Sequence, residues 1–288
     1  MTAIAPSPDP AAARVATPRR YVMCRPEHFT VSYTINPWMD PKTPVDRPRA
    51  LAQWDILRAK LESYGHTVDV VPGEPGLPDM VFAANSGVVI GGRALSARFA
   101  HEERAAEGPA YHHWFSGRDL ADLAPASETN EGEGDFAYAG SRILAGVGFR
   151  CSLSAHAEVE QYFGLPVVSL ELVDPRFYHL DTALMVLDDD TIAYYPAAFS
   201  PAAQDVLAAL YPDAIVADEN DALSFGLNGV SDGQHVFLDP GATHLIAALR
   251  ERGFQPVPVD MSELRKGGGG VKCCVLEQHS RRDRVGGA

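Results

Sequence analysis

The sequence predicts an α/β fold in which five repeated units close into a ring with pseudo-fivefold symmetry. Segments of helical periodicity switch to strand character after a short break, and this pattern recurs along the chain. The polar turns that follow the repeats are roughly 45 to 50 residues apart, which is typical of repeat architectures. An open doubly wound sheet is the alternative, but it would carry a phosphate-binding glycine fingerprint after its first strand, and the sequence has none.

Each repeat combines an amphipathic helix with a following strand. Gly65 and Gly253 stand where a helix C-cap is expected. A fifth, less regular unit lies between Tyr111 and Arg150, with a helix predicted over residues 119–123. The regular units cover residues 57–72, 157–170, 206–217 and 245–259, and the polar turns cover 79–85, 131–135, 179–184, 224–228 and 270–274.

Length and composition predict one catalytic domain. The chain has 288 residues with 46% hydrophobic content, enough for a sizeable core. We expect a domain over residues 19–278, a disordered leader over 1–18 and a flexible tail over 279–288. No apolar run approaches the roughly 18 residues that span a bilayer, and the leader lacks a signal-peptide core, so no membrane and a cytoplasmic location are expected. The net charge of -14 argues against nucleic acid and suits a small cationic substrate.

The four cysteines form no Cys-x-x-Cys pair, which disfavours a zinc ribbon or thioredoxin-like motif. Cys24 and Cys151 are expected to be small buried hydrophobes. Cys273 and Cys274 follow the glycine run 267–270 and open an apolar segment that resembles a buried strand. A thiol at the start of such a strand is a candidate nucleophile, provided that a base or a positive charge lies nearby.

Two histidine motifs have different interpretations. His179 and Asp181 are two residues apart, so on a strand they would face the same side, and the carboxylate would orient the imidazole. A hydrogen-bonded core histidine is the alternative. The adjacent His112 and His113 would point to opposite faces of a strand, so no metal site is predicted there.

The turn Glu131-Gly-Glu-Gly-Asp135 contains three carboxylates. It is too short for a calcium loop. It is either a solvated acidic turn or a cage for a guanidinium, whose planar donor fork pairs well with carboxylates. In the expected ring the equivalent turns converge near the axis. This would bring together Asn85, Asp135, His179, Asn228 and Cys273, and the arginines that could grip a substrate carboxylate are Arg98, Arg104 and Arg150.

Four motifs taken together resemble the guanidino-group modifying enzymes, the pentein superfamily. They are Gly-Gly-x-x-Cys near the C-terminus, His-Leu-Asp-Thr, the acidic Gly-Asp turn and Pro-Asp-x-Val-Phe. The superfamily includes arginine deiminases, dimethylarginine dimethylaminohydrolases, amidinotransferases and arginine dihydrolases, and the resemblance covers about residues 21–278. It implies a five-bladed α/β propeller of ββαβ units, in agreement with the ring expected from the repeats.

The resemblance also implies roles for individual residues. Cys273 matches the nucleophile and His179 the acid/base residue. Asp181 matches a guanidinium-binding aspartate, and Asp79 one that contacts the amino-acid end of the substrate. The acidic turn departs by one residue from the family pattern, and we favour Glu131 over Glu133 as the substrate-binding glutamate. The other expected substrate-binding residues are Asn36, Asn85, Arg104 and Arg150, and the further candidates are Arg98, Glu133, Asp135 and Asn228.

Asn85 stands where deiminases and dimethylarginine hydrolases carry aspartate. Together with Thr-Ile-Asn-Pro-Trp-Met, which contains Asn36, this looks most like the arginine dihydrolase branch, which implies hydrolysis through a covalent thiouronium to ornithine, ammonia and carbon dioxide. The alternatives are dimethylarginine hydrolysis to citrulline and dimethylamine, amidinotransfer, and a ribosome-binding pentein without activity. The expected partner is an arginine-like small molecule, with no metal or organic cofactor. A homo-oligomer is compatible with the resemblance, and residues 33–39 are the expected lid.

Overall fold

The computed structural model describes residues 14–281. Strands and helices alternate along this range. The strands are β1 (Arg20–Cys24), β2 (Thr67–Val71), β3 (Gly87–Ile90), β4 (Arg93–Ser96), β5 (Asp122–Pro125), β6 (Phe136–Ala139), β7 (Arg142–Val147), β8 (Val167–Glu171), β9 (Leu184–Val186), β10 (Ile192–Tyr194), β11 (Ile215–Val216), β12 (Val230–Ser231), β13 (His235–Leu238), β14 (Gln255–Pro258) and β15 (Leu276–His279).

The helices lie mostly between strands of the same unit. The α-helices are α1 (Arg47–Ser63), α2 (Glu107–Ser116), α3 (Leu153–Phe163), α4 (Leu180–Ala183), α5 (Pro201–Leu210), α6 (Glu219–Leu223) and α7 (Thr243–Glu251). Short 3-10 helices cover Pro78–Val81, Ala83–Ser86, Glu102–Arg104, Gly132–Gly134, Pro175–Phe177, Pro196–Ala198 and Leu264–Gly267.

The strands pair as five units of one design. In each unit an antiparallel strand pair is followed by a helix and a third strand that pairs in parallel with the second. The units are β15-β1-β2, β3-β4-β5, β6-β7-β8, β9-β10-β11 and β12-β13-β14. Strand β15 also pairs in parallel with β3, which joins the first two units into a six-stranded sheet. The mixed α/β class and the repeated order of elements therefore match the sequence prediction.

Helix α3 shows how the sequence encodes these units. The Ser152 side chain caps its first turn by accepting a hydrogen bond from the backbone of Ala155. Val159 and Phe163 follow Ala155 at four-residue intervals, and all three are buried on the same face of the helix. Gly164 then ends the helix in the left-handed region, at φ 64°. Gly65 and Gly253 also have positive φ just after α1 and α7, as expected.

The unit β3-β4-β5, which is the less regular unit of the sequence, differs from its prediction. Its helix is α2, whereas residues 119–123 lead into β5, where Leu123 pairs with Ala94. Gly108 and Pro109 look like helix breakers, but they lie in the first turn of α2, where proline is tolerated. The two histidines of α2 are therefore helical and not on a strand, and His112 Nδ1 lies 2.9 Å from the hydroxyl of Ser96.

The core lies between the sheets and the surrounding helices. Trp54 and Leu57 of α1 are fully buried, and they pack in one cluster with Tyr21 and Phe237. All four cysteines are buried and unpaired, in agreement with the expectation for Cys24 and Cys151. None of the helices within residues 14–281 combines the length and the apolar character needed to cross a lipid bilayer.

The ends of the chain were expected to be a leader and a tail. Residues 1–13 and 282–288 lie outside the described range, so these predictions are not tested there. Residues 14–18 contact the domain, because Arg14 lies 2.6 Å from Asp188 and the Thr17 amide donates to the carbonyl of Asp232. At the other end, strand β15 includes His279, which pairs with Ile90, so the last strand extends one residue into the expected tail.

Candidate active site

The polar turns that precede the first strands of the five units contact one another in a closed circle. Asn85 Nδ2 donates to the carbonyl of Glu131 at 3.1 Å, and Glu131 Oε2 lies 2.9 Å from His179 Nε2. The next turns are linked because Asn228 Nδ2 donates to the carbonyl of Asp181 at 3.0 Å and to Cys273 Sγ at 3.1 Å. The Cys273 carbonyl then accepts from the Ala84 amide at 3.0 Å, which returns to the first turn.

Cys273 is 2% exposed, and polar side chains contact its thiol and its backbone. Its thiol donates to Asp181 Oδ2 at 3.3 Å, while Asn228 Oδ1 accepts from the Cys273 amide at 3.1 Å. Burial and the neighbouring Asp181 raise the pKa of the thiol well above its usual range. The residue precedes strand β15, which begins only at Leu276, so the prediction of a thiol at the start of a strand is wrong. The close approach needs glycine, because a Cβ on Gly269 would lie 2.8 Å from Cys273 Cβ.

His179 is the N-cap of α4 and is 1% exposed. The predicted strand geometry is wrong here, because Asp181 lies in the first turn of the helix and contacts Cys273 instead of the imidazole. The carboxylate that orients the imidazole is Glu131, from the preceding unit. Burial lowers the pKa of His179 to about 4, although Glu131 opposes the effect, so the resting imidazole is neutral at pH 7.

Glu131 and Glu133 take different positions, which distinguishes the two predicted alternatives. Glu131 receives Arg150 Nη1 on both oxygens, at 3.0 and 3.1 Å, and it contacts His179. Burial opposes its ionisation, but Arg150 and His179 hold the pKa of Glu131 below its usual range. Glu133 instead contacts Lys272 Nζ at 2.5 Å and His279 Nε2 at 2.7 Å, in a separate charged group. Asp135 orients the turn by accepting from the Glu131 amide at 2.7 Å.

Arg104 links two of the expected substrate-binding residues. Its Nη1 donates to Asn85 Oδ1 at 2.9 Å, and its Nη2 donates to the Asp79 carbonyl at 3.2 Å. Glu107 holds the same guanidinium through two hydrogen bonds, at 2.9 and 2.7 Å. Glu107 was not predicted, and its only signal in the sequence is its position three residues after Arg104.

Residues 33–39, the expected lid, lie against this cluster. The Tyr33 hydroxyl donates a hydrogen bond to Asp79 Oδ2 at 2.8 Å, and the Ile35 carbonyl accepts one from Arg150 Nη2 at 2.7 Å. Asn36 donates to the Tyr178 hydroxyl at 3.3 Å, so in this structure its side chain holds the loop. Tyr33 was predicted only as the first residue of the lid, with no contact of its own, and Tyr178 was missed, because an aromatic side chain beside a histidine has no distinctive spacing.

Arg98 does not join the cluster. Its side chain is exposed and bonds to the Ser127 carbonyl, while its backbone pairs with Asn130 in an isolated bridge. The structure therefore places Arg98 apart from the buried contacts that join the other candidate residues, and its membership of the site stays a prediction. Alternation around this bridge turns its side chain outward, and that alternation was not recognisable from the sequence.

Three buried polar atoms of the candidate residues have no hydrogen-bond partner among the described residues. They are Asp79 Oδ1, His179 Nδ1 and Asp181 Oδ1. An unsatisfied buried polar atom typically costs about 1 to 3 kcal/mol, so such atoms are uncommon unless they serve a ligand. All three belong to buried residues of the candidate site, and Asp181 also contacts the Cys273 thiol, so these atoms are available to a polar ligand.

Asp218, Asp221 and His244 also form a group, with donor atoms within 4.8 Å of one another. The carboxylates are already used, because Asp221 accepts the amides of His244 and Leu245 at 3.1 and 2.9 Å. Asp218 accepts the Asp221 amide at 2.8 Å. These contacts account for the group as helix caps of α6 and α7.

No family model matches the chain. The chain is 54% identical over 276 residues to the N(G),N(G)-dimethylarginine dimethylaminohydrolase of Mycobacterium tuberculosis, covering 93% of this chain and 91% of the relative. It is 36% identical to the bifunctional arginine dihydrolase/ornithine cyclodeaminase ArgZ of Synechocystis, over 89% of this chain and 37% of that longer protein.

A solved structure of a related protein is also similar to this chain. The N-terminal domain of ArgZ, described as an arginine dihydrolase bound to product, superposes with a TM-score of 0.88 and 33% identity. The match covers 93% of this chain and all of that domain. The chain therefore belongs to the guanidino-group modifying enzymes of the pentein superfamily, in the group that contains dimethylarginine dimethylaminohydrolases and ArgZ-type arginine dihydrolases.

Proposed function

We propose that the protein is an arginine dihydrolase that attacks the guanidinium carbon with Cys273 and releases ornithine, ammonia and carbon dioxide. The protein is a hydrolase of the C–N bonds of guanidino groups, the activity for which its relatives are named. The observation that supports this chemistry is the buried cluster in which the Cys273 thiol contacts Asp181 while Glu131 orients His179.

The cluster suits a planar cation. Asp181 and Glu131 supply buried carboxylates, and the free Oδ1 of Asp181 can accept from a guanidinium N–H. Two carboxylates fix the plane of the cation, so its carbon can be held in line with the sulfur. Asp79, with its own unpartnered oxygen, would bind the ammonium group at the other end of the substrate.

The resting thiol is protonated, so the substrate itself must help to activate it. A bound guanidinium places positive charge beside Cys273 and Asp181, which lowers the pKa of the thiol. The thiol proton then passes to the neutral imidazole of His179, and Glu131 stabilises the imidazolium through the existing contact. This transfer requires His179 to approach the thiol in the substrate complex.

The first round then proceeds in two steps. The thiolate forms a C–S bond to the guanidinium carbon, and His179 gives its proton to the nitrogen that leaves as ammonia. Neutral His179 next takes a proton from water, whose oxygen attacks the thiouronium carbon. The C–S bond breaks, the thiolate is restored, and citrulline is the ureido product.

Asn85 supports a second round on citrulline. Its Oδ1 is occupied by Arg104, and its Nδ2 uses one N–H for the Glu131 carbonyl. The second N–H can donate to the oxygen of a ureido group, whereas an aspartate at this position could not. In the second round the thiolate attacks the ureido carbon, the C–Nδ bond breaks and His179 protonates Nδ, so ornithine leaves and the carbamoyl group stays on the sulfur. Water then cleaves the C–S bond, and the carbamic acid that forms decomposes to ammonia and carbon dioxide.

Dimethylarginine hydrolysis is the second candidate. The 54% identical relative is named for it, and the same thiol, imidazole and carboxylates would release dimethylamine instead of ammonia. Amidinotransfer would use the same first step but would require an acceptor amine. The ribosome-binding alternative has less support, because penteins of that kind lack the cysteine and histidine.

Product analysis decides among these functions. Purified protein is incubated with arginine, dimethylarginine, citrulline and agmatine, with and without glycine, and the products are identified by mass spectrometry. Ornithine from arginine and from citrulline supports the proposal. Citrulline without ornithine rejects the dihydrolase, and dimethylamine release that exceeds arginine turnover favours the second candidate. Turnover that requires glycine indicates amidinotransfer.

The five units support a five-bladed propeller with pseudo-fivefold symmetry. The closed circle of contacts through Asn85, Glu131, His179, Asn228 and Cys273 is what a ring of five blades would produce. The domain limits of residues 19–278, the homo-oligomer and the cytoplasmic location remain predictions from the sequence.

A further inference from the structure

Glu107 has no role in the proposed hydrolysis steps, yet it is completely buried. It is the first residue of α2, and its two carboxylate oxygens accept from Nε and Nη2 of Arg104 at 2.9 and 2.7 Å. A buried carboxylate with a two-point contact holds a guanidinium plane in one orientation. The direction of the remaining N–H groups of Arg104 is therefore set by Glu107.

The remaining groups of Arg104 point at the turn that carries Asn85. Nη1 donates to Asn85 Oδ1 at 2.9 Å, and the same atom lies 3.7 Å from Glu131 Oε2. Arg104 could thus form a full ion pair with Glu131 if its orientation changed. As long as Glu107 holds it, the guanidinium donates to the amide oxygen.

This contact determines which end of the Asn85 amide faces the turn that carries Glu131. An amide has one oxygen acceptor and one nitrogen donor at the same distance from the chain. Because Arg104 takes the oxygen, the nitrogen is turned toward the Glu131 carbonyl, at 3.1 Å, and presents its second N–H. A rotated amide would present an acceptor instead, which suits a guanidinium but not a ureido oxygen.

We propose that Glu107 is a positioning residue that acts through Arg104 to orient the Asn85 amide and thereby to permit the ureido round of hydrolysis. The inference rests on the proposed function, because it concerns the second round at the same site. Glu107 touches neither substrate nor thiol. Its effect should appear in the balance between citrulline and ornithine and much less in the first attack on arginine.

A purely structural role for Glu107 makes a different prediction. If the ion pair only anchored α2, its loss would lower stability and reduce both rounds of hydrolysis in proportion. The partition between the two products would then stay constant. The ratio of kcat/KM for citrulline to that for arginine separates the two roles.

The test compares Glu107→Gln with Glu103→Gln, a matched control four residues earlier, in the short 3-10 helix Glu102–Arg104, where the carboxylate is exposed. In Glu107→Gln we expect the citrulline to arginine ratio to fall at least about tenfold, as for the loss of one charge-assisted hydrogen bond that orients the amide. The control should keep the wild-type ratio. If Glu107→Gln does not fold, Glu107→Asp keeps the charge but withdraws the carboxylate, and a smaller fall in the ratio is expected.

A double-mutant cycle shows whether the effect passes through Asn85. In an Asn85→Ser background the amide is gone, so adding Glu107→Gln should leave the ratio unchanged. An equal fall in both backgrounds would overturn the inference.

A crystal structure of Glu107→Gln decides the inference even if no ureido substrate is turned over. Arg104 is expected to leave Asn85 and to approach Glu131. An unchanged contact between Arg104 and Asn85 would overturn the inference. Absence of ornithine from the wild-type protein would instead reject the dihydrolase proposal, so the two failures are distinguishable.

Discussion

Asn228 contacts Cys273 with both ends of its amide. Its Nδ2 donates to Cys273 Sγ at 3.1 Å, and its Oδ1 accepts from the Cys273 backbone amide at 3.1 Å. The same oxygen accepts from the Gly270 amide at 2.9 Å, which ties the glycine run to the nucleophile. One neutral side chain thus holds the backbone of Cys273 and donates to its sulfur, which favours the thiolate.

Replacing Asn228 by aspartate should therefore impair the nucleophile without removing it. The carboxylate keeps the acceptor for the backbone but replaces an N–H donor by a negative charge beside the sulfur, so the thiol pKa should rise further. We expect kcat to fall about 10- to 100-fold, with activity recovered at higher pH. Alkylation rates with iodoacetamide at several pH values measure the thiol pKa directly. An unchanged alkylation profile would contradict the role of Asn228.

The two adjacent cysteines should respond differently to alanine. Cys273→Ala removes the proposed nucleophile, so hydrolysis should become undetectable while the fold is retained. Cys274 is completely buried in an apolar cluster, so Cys274→Ala should keep activity and lose about 1 kcal/mol of unfolding free energy. Turnover assays with thermal unfolding distinguish these outcomes. Arginine hydrolysis by Cys273→Ala protein would refute the covalent mechanism.

Spacing alone made Arg98 and Arg150 equal candidates, whereas the resemblance favoured Arg150, and the structure places only Arg150 among the buried contacts. Arg150→Lys would keep the charge but could not contact both Glu131 and the Ile35 carbonyl. We expect KM for arginine to rise about tenfold or more, because the carboxylate and the loop over residues 33–39 lose one shared anchor. Arg98→Lys is the matched control and should remain within about twofold of wild type. Steady-state kinetics of both variants provide the comparison.

Asp181 gives a prediction in which activity and stability change in opposite directions. Burial raises the pKa of Asp181 from 3.8 to about 7, so its favourable contribution to folding is complete below pH 4 and is lost as pH rises to 7. Asp181→Asn cannot ionise, so the variant should be more stable than wild type at pH 8 and similar at pH 4. Its turnover should fall at least about 100-fold, because the guanidinium loses a carboxylate. Urea unfolding at both pH values measures the difference, and equal effects would contradict the burial of an ionised Asp181.

The repeat units and several site residues could be recognised in the sequence because they depend on local pattern. Helical periodicity followed by a strand located four of the five units, and the polar turns after them include Cys273, His179 and Asn228. In the unit β3-β4-β5 the helix was predicted at residues 119–123 and not at α2, because Gly108 and Pro109 at the start of α2 look like helix breakers. Local pattern is therefore sufficient to locate a helix or strand whose periodicity is regular.

Pairings between distant turns could not be predicted, because they depend on tertiary contact. Asp181 was expected to orient His179, but the short helix α4 directs it to Cys273, and Glu131 contacts the imidazole instead. Nothing in the sequence distinguishes Glu107 from a surface glutamate. Only the structure shows that it contacts Arg104 in the interior. Spacing along one chain does not report which carboxylate meets which cation.

His279 should make stability pH-dependent on the alkaline side. Burial alone would lower its pKa, but Glu277 and Glu133 together raise the pKa of His279 from 6.5 to about 9. A raised pKa contributes stability that is complete below pH 6.5 and is lost as pH rises through 9. His279→Gln should therefore be less stable than wild type at pH 6 by on the order of 1 to 3 kcal/mol, and the difference should narrow by pH 10. Exposed His244, which contacts Asp218 at 2.6 Å, gives the matched control His244→Gln, with little change at either pH. Urea unfolding across this range measures the effect, and a wild-type to His279→Gln difference that stays constant from pH 6 to 10 would show that the imidazole does not titrate in this window.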